Sequence, residues 1–352
     1  MKRIILTGGG TAGHVSPNQA LIPRLQQDGW DVHYIGTKDG IERRLIEPME
    51  NVTYHAVHSG KLRRYFDLKN FTDPFRVIAG SFESADLIRR LRPNVVFAKG
   101  GFVSVPVVYG AAFWRVPVVM HESDITPGLA NKLCKPMARV ICTTFPECAR
   151  LLGKKGVETG TPLRRQLFSG DRARGLALTG FDGQKPILMM MGGSLGAQTV
   201  NAVLREALPQ LLPHFDVLHI CGRGNLDESL KMPGYRQFEY LQEDLPDAFA
   251  CADFMLSRAG SNSLSELMAL CKPALLIPYH SGRGDQVLNA ASLRDRGLAH
   301  VLPQSEMTAD SLARALSDLW QEHEALAARL HALPNADGTD AVLEQIYRYA
   351  KS

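Results

Sequence analysis

A histidine closes a glycine run, Gly8-Gly9-Gly10-Thr11-Ala12-Gly13-His14, and a second run, Gly192-Gly193-Ser194-Leu195-Gly196-Ala197, recurs about half a chain later. Glycine lets a backbone turn sharply and approach a ligand closely, and a helix that follows offers unpaired N–H groups to an anion. An imidazole at the lip of such a loop is the side chain best suited to take a proton near neutral pH. Each run follows an apolar strand, Arg3-Ile4-Ile5-Leu6-Thr7 or Ile187-Leu188-Met189-Met190-Met191, and leads into a helix. The pair predicts an α/β chain of two Rossmann-like, doubly wound domains facing across a cleft, which can hold two phosphorylated substrates at once.

Two further stretches carry polar groups where such sheets bind ligands, just past a strand. Val118-Val119-Met120 leads into His121-Glu122-Ser123-Asp124. His121 and Glu122 there either orient a substrate or form a structural hydrogen-bond cluster. In the second half, Ser257-Arg258-Ala259-Gly260-Ser261-Asn262-Ser263-Leu264-Ser265-Glu266 again reads as strand, small-residue loop and helix start. The N–H groups of Ala259 to Leu264 suit phosphates, and Glu266 suits a ribose diol. Ser263-x-x-Glu266 also fits a capping box, a purely structural account of the same glutamate. The first loop matches G-x-G-x-x-G, but the second strand ends Tyr34-Ile35-Gly36-Thr37 with no acid for a ribose, which disfavours NAD. No Gly-Lys-Ser/Thr follows either loop, no Asp-x-Asp occurs, and no His/Cys spacing suits a metal. The expectation is a site without metal or cofactor, where leaving-group charge meets N–H groups, a helix dipole and Arg164.

The elements that must position these residues alternate along the chain. Strands are predicted at 3–7, 32–35, 95–98, 116–120, 140–143, 186–191, 216–221, 253–257 and 274–278. Helices are predicted at 17–27, 41–47, 76–92, 103–114, 128–134, 145–152, 197–212, 245–251, 263–271, 286–296, 309–331 and 340–350. Ser16 is the expected N-cap of the first helix, with Pro17 at its first position. The predicted division is an N-terminal domain over 1–160, a C-terminal domain over 161–338, and a last helix in 339–352 that packs back on the first domain. The 352 residues are 45% apolar, enough for two cores, and no run reaches the roughly 20 apolar residues of a membrane span. The first residues run straight into a strand without a signal-peptide pattern. Six cysteines without a C-x-x-C pair read as reduced, mostly buried thiols of a cytosolic protein. Residues 1–160 carry +8 (22 Lys/Arg, 14 Asp/Glu) and 161–352 carry −4 (18 and 22), so the first half suits an anionic partner.

Together these motifs resemble the MurG family of UDP-N-acetylglucosamine transferases, two-domain enzymes of the GT-B type. The resemblance covers nearly the whole chain. It rests on Gly9-Gly10-Thr11-Ala12-Gly13-His14, His121-Glu122 with Asn131-Lys132, Gly160-Thr161-Pro162-Leu163-Arg164, Gly192-Gly193-Ser194-x-Gly196-Ala197, Ser257-Arg258-Ala259-Gly260 with Ser265-Glu266, and Asp285-Gln286-x-x-Asn289-Ala290. It implies an inverting transfer of GlcNAc from UDP-GlcNAc to the muramoyl 4-hydroxyl of undecaprenyl-diphospho-MurNAc-pentapeptide, in peptidoglycan synthesis. It implies UDP-GlcNAc contacts from Thr11, Ala12, Gly13, Asp124, Arg164, Ser194, Gln286, the backbone at Leu241 and Gln242, and Glu266 at the ribose. Gly9, Gly10, His121 and Asn131 fall to the acceptor. The catalytic base lies among His14, Glu122 and Asp124. Two positions depart from the family: Asp124 stands where Asn is frequent, placing an anion near the expected sugar site, and Thr161 stands where Asn is frequent.

An acceptor with a polyprenyl tail implies a peripheral protein on the cytoplasmic face of the cell membrane, docked on anionic lipid and binding no nucleic acid. Leu68, Phe71, Phe75, Ile78 and Phe82 recur at helical spacing among Lys61, Arg63, Arg64, Lys69, Arg76, Arg89, Arg90 and Arg92. Phe71, Phe75, Arg76, Trp114 and Arg115 are the expected membrane contacts. Pro74 is expected to start the helix, with Ile78 and Phe82 packed on the sheet. The rival readings are a UDP-GlcNAc 2-epimerase and a non-catalytic UDP-sugar sensor at a membrane surface.

Overall fold

The computed structural model describes all residues except 61–68, 194–195, 281–282, 335 and 352, and describes 69–76 by backbone alone. Leu68 and Ser194 therefore lie outside the described residues. The chain forms two compact units, Met1–Arg164 with Asp337–Ser352, and Arg165–Ala336.

The first unit is built on seven parallel strands: β1 (Arg3–Thr7), β2 (Asp31–Gly36), β3 (Val52–Ala56), β4 (Val95–Ala98), β5 (Val118–Glu122), β6 (Val140–Thr143) and β7 (Gly156–Glu158). Their order is β3-β2-β1-β4-β5-β6-β7. The register sets Leu6 opposite Tyr34 on one side and Phe97 on the other. The second unit has β8 (Ile187–Met191), β9 (Asp216–Ile220), β10 (Tyr235–Phe238), β11 (Phe254–Ser257), β12 (Ala274–Leu276) and β13 (His300–Val301), in the order β10-β9-β8-β11-β12-β13 and likewise parallel. Helices connect parallel strands and cover both faces, so the inner strands are largely apolar. Ile4, Ile5 and Leu6 in β1, and Ile187, Leu188, Met189 and Met190 in β8, are wholly buried.

Four strands have no counterpart among the sequence expectations: β3, β7, β10 and β13. All four are sheet edges. An edge strand is covered less and needs less apolar sequence, as in Val52-Thr53-Tyr54-His55-Ala56, so pairing rather than composition makes it a strand. Helix starts also differ. The first helix, Ser16–Gln27, has Val15 as its cap and no capping side chain, because the 3₁₀ turn Ala12–His14 runs directly into it. Ser16 is thus inside the helix. The helix Lys69–Leu91 begins before Pro74. The long 309–331 element breaks at Glu322 into Ala309–Gln321 and His323–His331. The helix Arg172–Thr179 was not expected; Asp171 caps it by accepting from Arg174 N–H.

The division between units falls after Arg164 rather than at 160, because the connecting segment is bonded into the first unit. Thr161 and Thr144 share a hydroxyl hydrogen bond of 2.7 Å, and Leu163 N–H donates to Asp337 and Thr339 at 3.2 Å each. The helix Thr339–Tyr349 buries Val342, Leu343 and Ile346 among Ile4, Leu6, Val119 and other core residues of that unit. Tyr347 stacks on Trp30 with ring centroids 5.7 Å apart. Losing a buried isoleucine to alanine costs about 2–5 kcal/mol. Ile346→Ala should therefore destabilise the protein by that much in denaturant melts, and a loss below about 1 kcal/mol would show that this helix adds little.

Candidate active site

In each sheet the strand order reverses beside the first strand of the unit, between β1 and β4 and between β8 and β11. Loops leaving neighbouring strands there diverge and leave a crevice at the carboxyl edge. In the first unit the two loops are 8–14 and 99–101. They touch: a Cβ on Gly101 would lie 2.3 Å from the Gly9 carbonyl oxygen, and Gly101 has φ +78. Lys99-Gly100-Gly101 was missed in the sequence, although two glycines after the apolar run Val95–Ala98 were its signal. Glu42, also missed, lies buried beneath the first loop. Its carboxylate accepts from Gly10 N–H at 3.2 Å, from Thr37 N–H at 3.0 Å and from Thr37 Oγ1 at 2.5 Å. One loop N–H is thus already committed to a protein carboxylate.

His14 is half-buried at the end of this loop. Its Nδ1 lies 3.1 Å from both the Gly9 carbonyl oxygen and Thr11 Oγ1. A carbonyl only accepts, so Nδ1 carries the proton and Nε2 keeps its lone pair. Desolvation, then the Lys99 cation, pushes the ring's pKa down to about 4, against smaller upward pulls from the Gly9 carbonyl and Glu42. At neutral pH the ring is uncharged and able to accept a proton. Thr11 and Ala12 are exposed beside it, and Gly13 is partly so.

The end of β5 differs from expectation. Glu122 is buried, and its two oxygens accept from Ser123 N–H (2.9 Å), Asp124 N–H (3.1 Å), Gly128 N–H (2.8 Å) and Asn131 Nδ2 (2.8 Å). Burial pushes its pKa up, and these donors hold it back. With every oxygen engaged, Glu122 organises the 123–128 loop and is withdrawn as a catalytic base. His121 is wholly buried and its Nε2 donates to the Gly160 carbonyl at 2.9 Å. Asn131 is buried, and its amide also donates to the His121 carbonyl at 3.2 Å. Both side chains are buried in the sheet edge, where His121 Nδ1 and Asn131 Oδ1 have no hydrogen-bond partner. Asp124 remains partly exposed.

In the second unit, loops 192–197 and 258–260 flank the reversal. Gly193 and Gly196 take positive φ, and the helix Gln198–Leu211 follows. The other loop feeds the helix Ser261–Ala269, whose cap is Gly260 with no side-chain bond. Ser263 is therefore inside the helix, and the capping-box account of Glu266 fails. The first-turn N–H groups of Ser261, Asn262 and Ser263 have no intrahelical carbonyl to bond. Ala259 is buried, and its carbonyl accepts from Asn289 Nδ2 at 3.3 Å, tying this loop to the helix Asp285–Asp295. Leu264 is buried in the core of the unit. Gln286 Oε1 accepts from Tyr279 N–H at 3.0 Å, which turns its amide nitrogen into the available donor. Leu241 is buried with Gln242 exposed next to it, past the end of β10, and Arg164 is exposed at the end of the first unit. Among the described residues no group of three His, Cys, Asp or Glu side chains could hold a metal ion.

Residues 4–143 match the glycosyltransferase family 28 N-terminal domain and residues 187–344 the family 28 C-terminal domain. A protein of Clostridium novyi (strain NT), named UDP-N-acetylglucosamine--N-acetylmuramyl-(pentapeptide) pyrophosphoryl-undecaprenol N-acetylglucosamine transferase, is 48% identical over 354 residues, 99% of each chain. The chain belongs to the MurG family. Its fold agrees with the MurG family's GT-B type: the crystal structure of Acinetobacter baumannii MurG superimposes with a TM-score of 0.80 at 24% identity, over 99% of this chain and 100% of that one. A putative UDP-N-acetylglucosamine 2-epimerase from Listeria monocytogenes shares the fold, with a TM-score of 0.70 at 12% identity over 99% of this chain and 97% of that one.

Away from the sheet edge, this MurG-family chain exposes apolar side chains on the packed helices Lys69–Leu91 and Ser104–Phe113. Phe82 and Phe113 are each 74% exposed, and Ile78, Tyr109 and Trp114 are exposed beside them in sequence. Ile78 and Phe82 do not pack on the sheet, contrary to expectation: among the described side chains of this helix Ser84 and Ile88 are buried, together with Gly80. Trp114 Nε1 donates to the Ala85 carbonyl at 2.7 Å, fixing the indole between the two helices. Arg115 is exposed. The side chains of Phe71, Phe75 and Arg76 lie outside the described residues. Among the described residues no helix is long and apolar enough to cross a membrane.

The neutral histidines give this edge a pH signature. His14 titrates at about 4 in the folded protein against 6.5 for the free ring, and burial sets His121 well below 6.5. Below about 6.5 the unfolded chain therefore binds more protons, and stability falls as pH drops toward 4. His14→Gln should flatten that fall by up to roughly 1.4 kcal/mol per pH unit. Melts of both proteins from pH 7 to 5 check this; parallel curves would contradict it.

Proposed function

We propose that this chain moves N-acetylglucosamine from UDP-GlcNAc to undecaprenyl-diphospho-MurNAc-pentapeptide with inversion, His14 acting as base. The full-length likeness to transferases at 48% identity supports the reaction. The bare Nε2 of His14, fixed by the Gly9 carbonyl, is the observation that carries the base.

The muramoyl 4-hydroxyl attacks the anomeric carbon from the face opposite UDP. As the new C–O bond forms, that hydroxyl becomes acidic and the leaving phosphate oxygen gains charge. His14 Nε2 takes the proton. The arriving acceptor diphosphate is an anion, so it raises the proton affinity of a ring that is only weakly basic in the free protein. Gly9 and Gly10 let the acceptor approach. Thr11, Ala12 and Gly13 offer N–H groups, while Gly10 N–H stays with Glu42. Departing UDP is met by the N–H groups of Ser261, Asn262 and Ser263 and by the loop around Ser194, backed by helix dipoles. Glu266 takes the ribose, the backbone at Leu241 and Gln242 the uracil, the Gln286 amide a sugar hydroxyl, and Arg164 adds positive charge. Asp124 accepts from the sugar where the family often has Asn.

The acceptor's tail stays in the bilayer, so the protein works peripherally at the cytoplasmic face, where nucleotide sugars are made. Exposed Ile78, Phe82, Phe113 and Trp114, with Arg89, Arg90, Arg92 and Arg115 nearby in sequence, support docking on anionic lipid. Each such basic residue is worth about 1 kcal/mol near an anionic surface.

Four measurements test this reading. UDP should be released only when the lipid-linked acceptor is present; formation of UDP-ManNAc from donor alone would make the chain an epimerase, and neither product a sensor. His14→Ala should lower turnover by about 10²–10⁴ with UDP affinity nearly unchanged, and undiminished turnover would remove the base assignment. Glu266→Ala should weaken UDP-GlcNAc binding by roughly 1.5–3 kcal/mol, read by calorimetry. For the surface, Phe82→Ser with Phe113→Ser should reduce co-sedimentation with anionic vesicles and leave UDP binding intact; equal binding to neutral and anionic vesicles would defeat the docking proposal.

A further inference from the structure

Lys99 is a lysine only 1% exposed, placed where the loops after β1, β4 and β5 meet. Its N–H donates to the Thr7 carbonyl at 2.9 Å, and its Cβ lies 3.1 Å from where a Gly8 side chain would begin. Its Nζ donates to Ser123 Oγ, between Glu122 and Asp124 in the chain. A buried ammonium is costly unless paired, and so are two carboxylates brought to one sheet edge. Here each offsets the other. The Glu122 and Asp124 charges favour the charged form of Lys99, while burial, the larger effect, brings its pKa down to about 8. The same cation bears on His14 and His121 and disfavours their protonation. Glu42 is the carboxylate that acts on His14 in the opposite sense.

We propose that Lys99 is a positioning residue of the transfer site: bonded to Ser123 and to Thr7 and packed against Gly8, it is the buried cation that ties the loop after β5 to the glycine loop carrying His14. The Asp124 charge acts on the same cation. The part concerning catalysis rests on the reading of His14 as base.

The test uses the full chain with ¹³C-labelled histidine, following the His14 resonance (assigned by its loss in His14→Gln) against pH, alongside the pH profile of kcat/KM with UDP-GlcNAc and the lipid-linked acceptor. In Lys99→Met the His14 midpoint should rise by roughly one unit. In Lys99→Arg it should stay near the wild-type value. The acid limb of kcat/KM should shift with the midpoint. Lys99→Met should melt at a lower temperature than the wild type, and adding Asp124→Asn should recover part of that loss, since it removes one of the carboxylates whose charge acts on the missing cation. An unmoved His14 midpoint in folded Lys99→Met overturns the proposal. A midpoint that moves while the acid limb stays supports Lys99 as counter-charge and overturns His14 as base. Should Lys99→Met not fold, the double variant carries the titration, and its failure to restore folding also overturns the proposal.

Discussion

In a parallel sheet entered at an inner strand, the chain must leave in one direction for its first strands and cross to the other side for the rest. The loops after β1 and β4, and after β8 and β11, leave that reversal in different directions, and in the first unit they meet where Gly101 packs on the Gly9 backbone. Unpaired N–H groups and glycines are concentrated at one edge of each unit. Everything assigned to substrate in this protein sits on loops at such an edge or on the helices those loops begin. The rest of each unit, apolar strands under helices, keeps these loops in register.

A loop rich in glycine has little conformational preference of its own, and buried polar groups supply the missing rigidity. Glu42 holds Gly10 and Thr37, Glu122 holds the 123–128 turn, and Asn289 holds the Ala259 carbonyl. Each takes a polar group out of water, which is tolerable because its partners are complete. Lys99 is the cationic member of this framework. The arrangement separates two tasks that a glance at residue types would merge: histidine and glutamate at the end of β5 serve the framework, while the histidine on the glycine loop keeps a free lone pair.

Net charge misleads in the second unit. Residues 165–336 carry −4 (15 Lys/Arg, 19 Asp/Glu), yet most of the proposed nucleotide contacts lie there. Phosphate recognition by a helix start depends on a few oriented N–H groups at short range, whereas net charge acts through screened solvent. The positive surplus of the first half acts at longer range and suits a lipid surface better than a single phosphate.

Composition and spacing alone determined the inner strands, the two glycine loops and the strand-to-loop placement of His14 and Ser257–Glu266, and the resemblance of the motifs indicated the family. Those features are local: an apolar run and a glycine pair mean the same thing wherever the chain goes next. Edge strands such as β3 and β10 were not legible, since pairing with a neighbour makes them strands. Nor was the fate of particular polar residues. Glu42 reaches a loop 32 residues away in sequence, and Lys99 a serine 24 residues away. Whether His121, Glu122 or Asn131 faced a ligand, or Phe82 faced the core, depended on which groups distant segments brought to them. Burial and hydrogen-bond partnership belong to pairs of segments, so only the tertiary structure decided them.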